Sequence, residues 1–228
     1  QHFVANKLMY LVLEQLERVQ ARAQQRYGQA VTIIGEPGVG KSRLLHEFIH
    51  SNRTSHWLVL ETASLSYRAA TSYLPVIELL KTYFKIEDSD DVSKMRYKVV
   101  DRLLDLDGAL APDLSALLAL LDIPVEEPSW QALESFQRRQ RTLDALKRLI
   151  LRKCDQQPVI LAFEDLHWID GETQAFLETL IDGLASASLL VILTYRPEYK
   201  HHWGGKSYYT QLHLNALSPD ATEEFLRN

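Results

Sequence analysis

The chain has 228 residues, 46% of them hydrophobic, enough for one large domain or one domain carrying an insert. Its formal charge of −5 offers no general attraction to nucleic acid or to an anionic membrane surface. The single cysteine, Cys154, excludes a disulfide framework and suits a reducing, cytoplasmic setting, and no apolar run is long enough to span a bilayer. The chain opens on Gln1 and stops inside a helical pattern at Leu226-Arg227-Asn228, so a fragment of a longer protein is expected.

Apolar residues at Leu8, Leu11, Val12, Leu16 and Val19 recur at helical spacing and predict a helix over about 6–26, ended by Tyr27-Gly28-Gln29. A short β-rich run at 30–34 leads into a glycine-rich turn, followed by a helix over about 41–50. A second strand is predicted at 57–60. From about 72 to 153 only helices are expected, over 74–84, 92–106, 112–121 and 133–153, punctuated by Pro124 and Pro128. A third strand at 158–163 ends in acids. A helix over 173–184 has Asp170 available as its cap, a fourth strand covers 189–193, and 212–214 is a candidate fifth.

Strands alternating with helices imply a mainly parallel sheet covered on both faces, and the third and fourth strands are apolar throughout, as that burial requires. The expectation is an α/β three-layer sandwich with a helical insert, about 72–153, between strands 2 and 3.

Gly35, Glu36, Pro37, Gly38, Val39, Gly40, Lys41 and Ser42 match the phosphate-binding loop pattern completely, between a predicted strand and a predicted helix. Glycines let the backbone curl until successive N–H groups point at phosphate oxygens, and the positive end of the following helix adds to that field. Lys41 is expected to reach the β- and γ-phosphates and the Ser42 hydroxyl to ligate Mg²⁺. Arg43, next in line, is counted with the nucleotide-binding stretch. The other reading is a glycine-rich turn with an accidental lysine.

The third strand delivers Glu164 and Asp165 to its C-terminal edge, where ligands bind in open α/β sheets. One carboxylate can hold Mg²⁺ and the other can orient the attacking water. A strand ending in acids is also commonly a solvated end. Arg196 follows the fourth strand, and its fork matches phosphate oxygens; the alternative is an exposed arginine paired with Glu198.

With these motifs in hand, the sequence resembles the STAND branch of the AAA+-related P-loop ATPases. The resemblance rests on Gly-Glu-Pro-Gly-Val-Gly-Lys-Ser-Arg-Leu (35–44), Phe-Glu-Asp-Leu-His-Trp-Ile-Asp (163–170) and Leu-Thr-Tyr-Arg-Pro-Glu (193–198), and runs from Phe3 to about Leu217. It is strongest to modules of large regulators that carry nucleotide cyclase, protein kinase or DNA-binding domains. It implies a P-loop NTPase fold of strand order 5-1-4-3-2, Mg²⁺ held by Glu164 with Ser42, water activation by Asp165, and γ-phosphate sensing by Arg196. It implies that ATP, slowly hydrolysed to ADP and phosphate, drives a switch controlling covalently attached output and sensor domains, with nucleotide-dependent self-association. It also implies a lid or winged-helix region downstream. Where such modules carry a Val-Gly-Arg-Glu-like segment that helps hold the base, this chain has Val4-Ala5-Asn6-Lys7.

Other residues divide more evenly. Trp168 and His167 read as a turn anchored by a partly buried indole, or as a relay of nucleotide state to the next helix. The basic run Arg138, Arg139, Arg141, Lys147, Arg148, Arg152 and Lys153 reads as a solvated helix face, with a nucleic-acid contact as the sharper alternative. No Cys/His spacing fits zinc, and Cys154 reads as an inert core thiol. The rival functions are a DNA-associated AAA+ ATPase and a nucleotide-binding scaffold without turnover.

Overall fold

The computed structural model describes residues 7–64 and 71–214, the side chains of residues 7 and 8 excepted. In chain order the elements are α1 (Lys7–Gln24), β1 (Gln29–Ile34), α2 (Lys41–Ile49), β2 (Leu58–Ala63), α3 (Leu74–Phe84), α4 (Val92–Leu106), α5 (Leu114–Leu120), α6 (Pro128–Gln131), α7 (Ser135–Gln156), β3 (Val159–Glu164), α8 (Gly171–Ile181), β4 (Leu189–Tyr195) and β5 (Tyr209–His213).

The five strands form one parallel sheet in the order β2-β3-β4-β1-β5, the order that the family resemblance implies, read from its other edge. Every residue of β1 and of β4 is buried, as strands covered on both faces must be. Side chains alternate between the faces. Val31, Ile33, Ile160, Ala162, Leu190 and Ile192 meet Leu16 of α1 and Leu44, Leu45 and Phe48 of α2. Ala30, Leu161, Phe163, Val191 and Leu193 meet the other layer, built from α3, α7 and α8 through Leu79, Leu146, Phe176 and Leu177. Two hydrophobic cores therefore clamp the sheet, and its C-terminal edge is left to the connecting loops.

The insert between β2 and β3 is helical, as expected, with differences inside it. The predicted helix over 112–121 is two pieces. A 3-10 turn spans Gly108–Asp113, its start capped by Asp107, which accepts the Ala109 N–H at 2.8 Å, and α5 follows. The turn includes Pro112, which lacks the N–H that a continuous α-helix needs. Helix α6 was not expected; Pro128 at its first turn sets the backbone for it. Helix α7 opens on a capping box between Glu134 and Gln137.

Its basic face is not simply solvated. Arg139 pairs with Glu172 at 2.7 Å, Arg152 with Asp107 at 3.1 Å, and Arg148 with the buried Asp113. Cys154 is 3% exposed, and burial pushes its thiol up to about 12, so it is inert packing. The fifth strand lies at Tyr209–His213 instead of 212–214: Tyr209 and Thr210, outside the expected strand, pair in register with Ala30 and Val31.

Candidate functional site

The site is built where β1, β4 and β3 end side by side. Ile34 pairs with Tyr195, and Phe163 with Leu193, so Gly35, Arg196 and Glu164 leave the sheet at one edge. The chain needs no long loop to gather them; parallel register does it.

Between β1 and α2 the backbone curls through two positive-φ glycines, Gly38 (φ 81) and Gly40 (φ 95), a conformation costly for other residues. Gly35 is required for a different reason: a Cβ there would sit 2.4 Å from the Leu214 carbonyl oxygen and 2.8 Å from Val39 Cγ2. Glu36, Pro37 and Gly38 are exposed at the tip, Val39 and Gly40 half-buried, and Ser42 and Arg43 exposed at the start of α2. The first turn of α2 has no side-chain cap, so its N–H groups are open to an anion.

Lys41 is buried at 7% exposure, and its ammonium donates to the Gly35 carbonyl at 2.7 Å and the Glu36 carbonyl at 3.0 Å. These bonds hold it across the loop with a third proton to give. Burial lowers its pKa, Asp165 works against that shift, and Arg196 adds to it. Asp165 and Arg196, which follow the neighbouring strands β3 and β4, are therefore near enough for their charges to act on Lys41.

Glu164 is the last residue of β3 and half-buried. Burial raises its carboxyl pKa, a hydrogen bond from Ser42 opposes that, and Glu61 and Asp165 add repulsion. The Ser42 hydroxyl and the Glu164 carboxylate thus adjoin although one belongs to α2 and the other to β3. Two hard oxygen donors in a crowded acidic corner suit a small divalent cation such as Mg²⁺, which would relieve that repulsion. Among the described residues no group of three or more His, Cys, Asp and Glu could hold a metal ion by itself.

Asp165 adopts a left-handed conformation, φ 55 and ψ 47, directly after the strand. Its N–H donates to the Thr194 hydroxyl at 3.1 Å, which stabilises the kink from β4. The kink takes Asp165 out of the strand's alternation and leaves its carboxylate 43% exposed, 4.0 Å from His167 Nδ1. The His167 side chain is 7% exposed, and burial, then Arg196, hold its pKa below the ordinary histidine value. Arg196 lies over the Trp168 ring, 6.0 Å from its centroid, and Trp168 is 39% exposed. The guanidinium thus rests on the turn that follows the acids, and not in the ion pair with Glu198 that the sequence left open.

Asp170 caps α8, accepting the N–H groups of Glu172 and Thr173, each at 3.0 Å. The same Oδ1 accepts the Tyr73 N–H at 2.9 Å, which joins the turn to the start of α3. Tyr73 also donates its hydroxyl to Glu172 at 2.8 Å, and Arg139 of α7 holds that same carboxylate. The turn after β3 is therefore bonded to two helices of the insert.

Sequence reasoning missed Thr194 and an aromatic cluster behind Arg196. His201 Nδ1 accepts the Trp203 N–H at 3.2 Å, so its proton sits on Nε2, which contacts the Tyr195 hydroxyl at 2.5 Å and that of Tyr209 at 3.0 Å. Tyr209 continues the chain to Thr32 of β1 at 2.9 Å, and Trp203 stacks on His201 with ring centroids 4.7 Å apart. Beside this cluster lies a cavity of about 370 Å³ lined by Tyr199, Lys200, His202, Gln211 and His213. The density of aromatic residues and histidines over 195–209 was the available signal. The segment Val4–Ala5–Asn6 lies outside the described residues. Among the described residues, no helix is long and apolar enough to cross a membrane.

Comparison with known proteins adds the wider setting. Residues 11–192 match the family described as AAA ATPase domain. An uncharacterized protein of Rhizobium meliloti (strain 1021) is 26% identical over 196 residues, which cover 86% of this chain and 19% of that protein. The chain therefore spans about a fifth of that relative's length. Among solved structures, a chain of Drosophila ORC bound to DNA aligns with TM-score 0.53 at 16% identity, covering 96% of this chain and 46% of that one. A chain of C. elegans PCH-2 aligns with TM-score 0.44 at 12% identity, covering 98% of this chain and 46% of that one.

Proposed function

Since the chain belongs to the AAA ATPase domain family, and nucleotide binding comes with that membership, we propose that it is a Mg-ATP-binding, slowly hydrolysing switch module of the STAND type, working in a larger cytoplasmic signalling protein. The observation that carries this reading is the convergence on Lys41. The P-loop lysine feels the charges of Asp165 and Arg196, which parallel register brings to the same sheet edge from two other strands, while Ser42 adjoins Glu164.

In this reading Gly35 to Ser42 and Arg43 hold ATP or ADP, and Lys41 neutralises charge on the β- and γ-phosphates. Ser42 and Glu164 would hold Mg²⁺, whose chemistry when bound is to draw charge from the phosphate oxygens. Asp165, exposed and turned out of the strand, accepts a proton from the attacking water and aligns it. Arg196 leaves the Trp168 ring to meet the γ-phosphate, so the turn after β3 responds to whether that phosphate is present. Asp170 and Glu172 pass the response to α3 and α7, hence to attached domains or a neighbouring copy. Attached domains are supported by the length of the Rhizobium relative, of which this chain covers 19%.

The reading is tested by phosphate release and labelled-ATP binding, with and without Mg²⁺, on the wild-type chain and Lys41→Ala. Binding that survives Lys41→Ala would sink it. Tight binding with no Lys41-dependent release would select the scaffold without turnover.

A DNA-associated AAA+ ATPase is the second reading; the Drosophila ORC chain, whose fold this chain shares, was solved bound to DNA. Against it, α7 commits three of its seven basic residues, Arg139, Arg148 and Arg152, to carboxylates, which weakens its basic face. A duplex-DNA titration at low and moderate salt separates the two.

A further inference from the structure

We propose that His167 is a positioning residue for hydrolysis: its ring Nδ1 donates a hydrogen bond to Asp165 and fixes that carboxylate toward the attacking water. The inference rests on the ATPase reading above, in which Asp165 aligns the water.

The observation behind it is an anomaly of burial. The His167 side chain is 7% exposed, and neither ring nitrogen has a hydrogen-bond partner, although both are buried. Buried polar groups are nearly always bonded, so an orphaned imidazole asks for a reason. Packing does not supply one. Leu166, fully buried next door, already anchors the turn in the apolar core, and another leucine would fill the His167 space without two unsatisfied nitrogens. The ring lies at the candidate site: Asp165 is 4.0 Å from Nδ1, and Arg196, Lys41 and Glu198 are near enough for their charges to act on it.

A neutral imidazole has one N–H to give and one acceptor. Nδ1 stands 4.0 Å from Asp165 Oδ1, about 1 Å beyond a hydrogen bond. The 3-10 turn Leu166–Trp168 carries both the ring and the indole on which Arg196 rests. Movement of Arg196 from the indole to a γ-phosphate frees that turn to close the gap. The bond then forms only with triphosphate bound, and it holds one carboxylate oxygen so that the other meets the water. Misplacement of a catalytic group by about 1 Å can cost on the order of 10²-fold in rate, which is the scale at stake.

The test compares His167→Asn, His167→Gln and His167→Ala with the wild-type chain and Lys41→Ala, by single-turnover phosphate release and by ATP and ADP affinity. The asparagine amide reaches the place of Nδ1, whereas the glutamine amide reaches nearer that of Nε2. His167→Asn is expected to keep release within about threefold of wild type. His167→Gln and His167→Ala are expected to fall by about tenfold or more, with affinities for both nucleotides within about twofold of wild type. Equal release from the asparagine and glutamine variants would overturn the proposal, since both fill the space. So would a loss of ATP affinity without a loss of ADP affinity, which would put the ring on the phosphate itself. Wild-type release that does not depend on Lys41 would overturn the ATPase reading and this inference with it; Lys41-dependent release untouched in all three variants would overturn the inference alone.

Discussion

The backbone N–H of Asp165 donates to the hydroxyl of Thr194 across the β3–β4 boundary, at 3.1 Å, and so holds an aspartate in the left-handed region at the end of an apolar strand. Thr194→Val keeps the shape and removes the acceptor. Leaving that N–H unpaired costs about 1–3 kcal/mol, which urea unfolding will report. Phosphate release should drop at the same time, because the Asp165 carboxylate loses its fixed direction. A variant as stable and as active as wild type would show the bond to be incidental.

Lys41→Ala should weaken ATP binding by about 10- to 100-fold, the worth of one or two charge-assisted hydrogen bonds. ADP should suffer less, because the lysine spans the β- and γ-phosphates. Titration with a fluorescent analogue of each nucleotide gives both numbers.

The two acids should separate by phenotype. Asp165→Asn is expected to bind Mg-ATP normally and to lose about 10²-fold or more in release, the usual scale for a lost general base. Glu164→Gln should instead shift the Mg²⁺ concentration needed for half-maximal binding upward. Exchanged phenotypes would mean exchanged roles.

Arg196→Ala should erase most of the preference for ATP over ADP, by about tenfold in affinity ratio, while ADP binding alone barely moves. A loss shared equally by the two nucleotides would make Arg196 a structural partner of Trp168.

Stability should also depend on pH through His201. Burial, and then the neighbouring His202, lower its pKa, and the Trp203 N–H that faces Nδ1 would oppose a second ring proton. A base whose folded pKa is depressed binds fewer protons folded than unfolded. Its contribution is therefore complete above the unfolded value of about 6.5 and is lost as pH falls below it. The thermal midpoint should decline from pH 7.5 to 5.5, and less so in His201→Gln. A variant declining as steeply as wild type would place the titration elsewhere, His167 being the other histidine shifted in the same direction.

The architecture was legible because its signals are local. Short apolar runs at 159–163 and 189–193, bounded by polar residues, favour buried strands, and Gly38 and Gly40 fix a turn that few other residues could make. The fold differed where tertiary pairing overrides local preference: β5 starts at Tyr209, ahead of the expected 212–214, because β1 supplies a free edge for Tyr209 and Thr210. The site's short-range partners were hidden for the same reason. Nothing near Asp165 in sequence indicates that Thr194 will hold its N–H, nor does the sequence around Asp170 point to Tyr73. His167 was noticed only as a neighbour of Trp168, since burial of both its nitrogens is a property of the folded turn.

The position of β1 between β4 and β5 has a consequence for biosynthesis. Both of its hydrogen-bonded neighbours lie after residue 188, while the strand itself is complete at Ile34. At translation speeds of about 5–20 residues per second, the ribosome takes roughly 10–30 s to make the intervening chain. For that interval an apolar strand and the loop it carries have emerged without either edge protected. The insert can meanwhile collapse on its own helices, so the nucleotide pocket is assembled last, around an element made among the first. Such late pairing leaves an apolar strand exposed to wrong partners during synthesis, and slows the arrival of a binding-competent site more than that of its helices.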